Sequence, residues 1–231
     1  VTLAVVGMMA SAIWGIQAYQ NRGWRAVPGG RVLLGDPDVP CSRAVEPFEI
    51  QITEVTNADY LKCVEAQVCE PPTGLWEAGP EGWIYPQGLG QHPVWSLSWH
   101  DADTYCRFIG AHLPSEAEWV LAARGSSARD YPWEGEFDIA LINVYESGHG
   151  NTVAVTTYPE GRSEETGLYH LIGNVREWVS DQAVDPCDAT AGERGFVAKG
   201  GSFMDSSENT TLWYRAQGEG LPLVGVRCVR D

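Results

Sequence analysis

Basic side chains are scarce in this chain: Lys and Arg number 15 against 31 Asp and Glu across 231 residues, for a formal net charge of −16. A nucleic-acid binder must neutralise phosphates with clustered Lys and Arg, so that class is excluded. The five histidines, at 92, 100, 112, 149 and 170, show neither His-Glu-x-x-His nor His-x-His spacing, so no helix-borne zinc pair is encoded. There is no Gly-x-Ser-x-Gly elbow and no Walker-type loop, which removes the common serine-hydrolase and phosphate-cradling signatures. Also missing is the paired Cys-x-x-Cys spacing of a structural zinc site. The six cysteines, at 41, 63, 69, 106, 187 and 228, point instead to disulfides, and so to the periplasm or the cell exterior. Connectivity is not readable from spacing, because six cysteines allow fifteen pairings.

Charge is absent from the first 19 residues as well. That run approaches the roughly 20 residues needed to cross a bilayer. A secretory signal peptide competes for it, with Ala10-Ser11-Ala12 resembling a cleavage site. The expectation is a retained transmembrane anchor over residues 1–20, followed by a globular domain over residues 21–231. Gly7, Ser11 and Gly15 recur every four residues and fall on one helix face, where small side chains let a second membrane helix approach closely. Trp14 and Tyr19 suit the interfacial belt. Arg22, Arg25 and Arg31 would pull that side towards the cytoplasm by the positive-inside rule, against the cysteine argument. The cysteines are given more weight, and an extracytoplasmic domain is expected.

What is abundant is tryptophan, ten residues in 231, and this predicts an aromatic core. Residues 24–35 read as a strand or short hairpin punctuated by Pro28-Gly29-Gly30, and residues 45–52 alternate in the strand period. Thr56 or Asn57 starts a helix with Tyr60, Leu61 and Val64 on its apolar face. Cys63 and Cys69, at the end of that helix, suit a short disulfide. Residues 73–91 read as loop. A helix is expected over residues 101–110, and a clearer one within residues 113–125, with Ser115 as N-cap, Glu118 completing a capping box and Gly125 as the stop. Glu116 and Glu118 are therefore read as capping and dipole-pairing groups. The stretch 167–181 carries a Gly173-Asn174 turn held down by Leu171, Ile172, Val175 and Trp178. Its Glu177 either bonds the turn or, with backbone carbonyls, supports a hard cation such as calcium. The rest is loop-rich, with short strands at 196–199 and 225–229. Helices and scattered strands joined by long ordered loops describe an α+β domain.

With Val27-Pro28-Gly29-Gly30, Glu54-Val55-Thr56-Asn57-Ala58-Asp59-Tyr60, His92-Pro93-Val94, Ser98-Trp99, residues 113–125, Tyr131-Pro132-Trp133, residues 167–181, Lys199-Gly200-Gly201-Ser202-Phe203 and Gly225-Val226-Arg227 in order, the chain resembles the formylglycine-generating enzyme (sulfatase-modifying factor) family over residues 24–231. The resemblance implies a loop-rich variant of the C-type lectin fold. It also implies a structural disulfide between Cys106 and Cys228, with Cys41, Cys63, Cys69 and Cys187 likewise expected in disulfides. Enzymes of the family oxidise a substrate cysteine with copper(I) on two thiolates, and soft thiolates are what that ion needs. The matching positions here are Asp205 and Thr210, so formylglycine synthesis is expected to be absent. The family's calcium loop maps onto Gly173, Val175 and Glu177, but with His170 where Asn or Asp is usual. No other cofactor is expected, and relatives that bind iron do so through a further helical domain for which there is no room.

Three functions follow as expectations. The first is a non-catalytic, membrane-anchored accessory subunit whose helix packs among other transmembrane subunits. The second is a lectin-like module binding protein or glycan through Met204, Trp213, Tyr214 and Leu221. The third is a metal-dependent oxidase. Asn209-Thr210-Thr211 is in addition a formal glycosylation sequon.

Overall fold

The computed structural model describes residues 23–80, 82–188 and 192–231. The expected anchor, with Gly7, Ser11, Gly15, Trp14 and Tyr19, lies outside the described residues. Among the described residues no helix is long and apolar enough to cross a membrane.

Three α-helices, four 3-10 turns and eleven strands, mostly short, make up the regular structure of the described residues. Strand β1 (Trp24–Val27) pairs antiparallel with β4 (Phe48–Gln51), whose other edge takes β11 (Val229–Arg230). Strands β2 (Gly30–Leu34) and β3 (Cys41–Val45) form a separate hairpin. Residues 24–35 are thus not one hairpin but two strands serving different sheets, with the switch at Pro28-Gly29. A Cβ on Gly29 would lie 2.6 Å from the Val45 carbonyl oxygen, so only glycine fits that crossing.

Helix α1 (Asn57–Glu65) starts where the Thr56 hydroxyl accepts from the Asp59 amide. Its end is stapled by the Cys63–Cys69 disulfide. Helix α2 spans Trp99–Phe108, two residues earlier than expected, because Ser98 and Asp101 close a reciprocal capping box. Helix α3 (Glu116–Arg124) has the expected box between Ser115 and Glu118, and Gly125 at φ 62° ends it. Residues 73–91, read as loop, contain a hairpin of β5 (Glu77–Gly79) and β6 (Gly82–Ile84).

The central sheet has the order β10-β7-β8-β9, formed by Val224–Gly225, Arg176–Val184, Gly192–Lys199 and Arg215–Gly218. Strand β10 runs parallel to β7, and the other pairs are antiparallel. Strand β7 is the largest departure from the sequence reading, which placed only a turn there. Its first four residues are buried, so it shows no polar–apolar alternation to read. Successive side chains point to opposite faces. Val179 and Val197 accordingly enter one core with Trp119, Ile50 and Leu171, while Trp178 and Ala198 enter a second with Tyr60, Cys106 and Val226. The central sheet is the wall between the two cores. The expected strand at 225–229 is split into β10 and β11, which belong to different sheets.

Candidate functional site

The turn before β7 positions the buried polar groups. His170, Gly173 and Asn174 take φ of 48°, 73° and 60°, the left-handed region that bends a chain sharply. Gly173 is obligatory there, because a Cβ would sit 2.5 Å from the Asn143 carbonyl oxygen. Asn174 is fully buried. Its amide donates to Glu54 Oε2 at 2.9 Å, and its carbonyl accepts from Asn143 Nδ2 at 3.1 Å and the Val153 amide at 2.9 Å. The Glu54 carboxyl is pushed well above its ordinary pKa by burial and then by the charge of Glu177, against the opposing influence of Arg227, Asn174 and the Val175 amide.

Three residues on, Glu177 is spent on structure. Its carboxylate accepts from Arg227 Nη2 at 2.7 Å and from Arg227 Nε at 3.0 and 3.1 Å. It also accepts from Trp119 Nε1 at 2.7 Å. Glu177 and Arg227 are both buried. This bears on the calcium expectation at Gly173, Val175 and Glu177, because it engages the carboxylate that the expectation relies on. The one anionic ligand is saturated by a guanidinium, and His170 is buried with its pKa pushed down to about 3 by burial and then by the charge of Arg227. The residues present do not fit a hard cation. Among the described residues no three His, Cys, Asp or Glu side chains converge to hold an ion.

Arg176, on the opposite face of β7 from Glu177, meets Asp205. Its Nη2 lies 2.5 Å from Asp205 Oδ1, and its Nη1 donates to the Pro222 carbonyl at 2.7 Å. Asp205 Oδ2 accepts from the Ser202 amide and hydroxyl, each at 2.8 Å. Thr210, the second position at issue, is buried and donates its hydroxyl to the Ser207 carbonyl at 2.8 Å. An ion-paired carboxylate and a committed hydroxyl do not suit a cuprous ion, which takes thiolates. The structure pairs Cys41 with Cys187, Cys63 with Cys69 and Cys106 with Cys228, and no cysteine is free among the described residues. The donor set therefore does not fit copper(I). The Arg176–Asp205 pair escaped the sequence reading. Its signal was an arginine directly after the apolar Val175, at the start of the strand.

The Glu116 carboxylate, expected to cap, is ion-paired instead. Arg215 Nε reaches both of its oxygens at 2.9 Å, and Lys199 Nζ lies 3.2 Å from one of them. Burial alone would raise the Glu116 pKa, but Lys199 and Arg215 hold it below the ordinary value, while burial lowers that of Lys199. The four residues expected to line one binding surface serve different neighbourhoods. Met204 is exposed, Trp213 lies under the Arg124 guanidinium at 3.5 Å, and Tyr214 and Leu221 pack against the second core.

The family described as the sulfatase-modifying factor enzyme 1-like domain matches residues 16–231. The chain belongs to this family. Within the sulfatase-modifying factor family it is 29% identical over 239 residues to a mouse protein named inactive C-alpha-formylglycine-generating enzyme 2, covering 80% of this chain and 75% of that one. It is 34% identical over 257 residues to the formylglycine-generating enzyme of Thermomonospora curvata, covering 79% and 83%. Relatives named formylglycine-generating enzyme and relatives named inactive thus match at similar identity. The fold is similar to that of PvdO from Pseudomonas aeruginosa, with a TM-score of 0.70 at 22% identity over 90% of this chain and 94% of that one.

Proposed function

We propose that the chain is a non-catalytic, membrane-anchored accessory subunit whose extracytoplasmic, lectin-like domain makes protein contacts in a larger membrane complex. One observation carries the non-catalytic part. The Arg176–Asp205 ion pair occupies the position where the family's enzymes need a thiolate, while all six cysteines are in disulfides. The uncharged residues 1–19 support the anchor, and the stripe of Gly7, Ser11 and Gly15 supports packing against other transmembrane helices.

Replacing Gly7, Ser11 and Gly15 together with leucine keeps the stretch apolar but bars close helix approach. The variant should remain in the membrane fraction yet lose its partners when it is purified in mild detergent. Partners retained at wild-type ratio would count against a role for this stripe in assembly.

A second reading, a module that binds protein or glycan, rests on a different feature. Met204 and Tyr145 are 54% and 66% exposed, and the Tyr145 amide donates to the Asp205 carbonyl, so two large side chains flank the ion-paired position. Exposed clusters of this kind mark contact surfaces.

A further inference from the structure

The three disulfides differ in their surroundings. Cys63, Cys69, Cys106 and Cys228 are at most 5% exposed, whereas Cys41 is half-buried and Cys187 is exposed. A thiolate from outside can therefore attack the Cys41–Cys187 bond in the folded protein, and reaches the other two bonds only when the chain opens.

That bond fastens one element. Strands β2 and β3 form a two-stranded sheet hydrogen-bonded to no other described strand, and Cys41 opens β3 opposite Leu34 at the end of β2. Cys187 stands on the loop after β7, in a turn where Asp185 Oδ1 accepts from the Cys187 amide at 2.7 Å and the Asp188 amide at 3.2 Å. The sulfur is seated against the end of β2, because a Cβ on Gly35 would lie 2.6 Å from Cys187 Sγ. Arg43 Nη2 donates to the Pro186 carbonyl at the same junction. This hydrogen bond is exposed, and water competes for it.

Beneath β2 the polar pairing is incomplete. Val32 and Leu34 enter the first core, and the Leu33 carbonyl accepts from Arg124 Nη2 at 2.8 Å. Arg124 and Trp213 line a recess with Leu33, Leu34, Glu116 and Lys199. Yet Arg124 Nε and Trp213 Nε1 are buried without a hydrogen-bond partner among the described residues. Each unpaired donor costs free energy in the closed state that water returns on opening. Apolar contacts and one covalent bond therefore hold the hairpin down against two donors that favour its release.

We propose that Cys41–Cys187 is a redox-operated clasp, which a dithiol-bearing redox protein reduces to unfasten the β2–β3 hairpin while the other two disulfides keep the domain folded. One thiolate of the dithiol attacks the exposed Cys187 sulfur, the S–S bond breaks, and Cys41 leaves as a thiolate. The second thiolate then attacks the mixed disulfide, Cys187 leaves, and the reductant departs as a disulfide. Two electrons pass to the protein, and each released thiolate takes up a proton. The opened hairpin brings Val32, Leu34 and the Arg124 guanidinium to solvent.

The test treats the full chain in mild detergent with graded dithiothreitol, traps thiols by alkylation and locates them by mass spectrometry. Cys41 and Cys187 should be labelled at least about tenfold sooner than the other four cysteines, at a rate proportional to dithiothreitol. In the reduced chain, hydrogen exchange should rise by about tenfold or more across residues 30–45, and by more there than across β7 and β8. Cys41→Ser with Cys187→Ser should reproduce that pattern without reductant. The wild-type chain is reduced in place, so the test stands even where this variant fails to fold. Labelling of all six cysteines at one rate would overturn the inference, because the clasp would then open only on unfolding. Equal acceleration of exchange in the hairpin and the central sheet would overturn it too, because the bond would then act only by restricting the unfolded chain. No membrane partner is needed, so either outcome leaves the subunit reading untouched.

Discussion

Arg227→Met should destabilise the domain by roughly 3–5 kcal/mol, the cost of removing one partner from a fully buried ion pair. The guanidinium is bonded to both Glu177 oxygens, to the Gln51 carbonyl at 2.9 Å and to the Tyr169 carbonyl at 2.6 Å. It therefore ties the turn before β7 to the sheet that holds β4. Without it, Glu177 keeps only the Trp119 donor, beside a second buried carboxyl, Glu54. The attraction itself is offset by desolvating both charges, so the effect comes from the orphaned charge rather than from the pair's net strength. It follows that Glu177→Met with Arg227→Met should cost less than the two single changes added together. Denaturant unfolding followed by tryptophan fluorescence checks this. A single-variant loss below about 1 kcal/mol would mean that water reaches the site and the burial described here is wrong.

Acid should destabilise the fold through His170. Its pKa is pushed down from 6.5 to about 3 by burial and then by the charge of Arg227, against hydrogen bonds to the Ala154 and Thr157 carbonyls. The unfolded chain therefore binds a proton that the folded chain refuses. The contribution is fully present above about pH 6.5 and is lost as pH falls towards 3, and over the whole window it amounts to roughly 4–5 kcal/mol. Glu54 acts in the opposite sense. Its raised pKa means that the folded state holds a proton above pH 4.5, so its contribution declines as pH rises. The two slopes oppose each other above about pH 4.5, over the range in which both groups change protonation on unfolding. His170→Gln, neutral at every pH, should remove the acid-side loss and leave the Glu54 slope visible as a melting temperature that rises on mild acidification. Identical melting-temperature profiles for the two proteins would show that His170 is open to solvent.

What was legible in the sequence was local. The Ser115–Glu118 box, the stop at Gly125 and the short Cys63–Cys69 pairing each depend on residues within one or two turns, and the structure contains all three. The start of α2 is equally local, with Ser98 and Asp101 in a capping box, and lies two residues before the expected one. Strand β7 was hidden for a different reason. Its first four residues are buried on both faces and show no period-two pattern, and the Gly173-Asn174 turn just before them points to a loop. The remaining site contacts are long-range. Glu116 meets Lys199 and Arg215 across 83 and 99 positions, and Cys106 meets Cys228 across 122. Nothing in local propensity marks such partners. The family resemblance supplied the Cys106–Cys228 expectation, and it located Asp205 and Thr210, but not the arginine that neutralises Asp205.

The most direct measurement is native mass spectrometry of the chain purified from its source cells in mild detergent, with copper quantified in the same sample. A non-catalytic accessory subunit should come away in a fixed ratio with other membrane proteins and carry no copper. A solitary chain holding one copper per molecule would contradict it. Thiolates would then have to be released from disulfides, and Asp205 from Arg176.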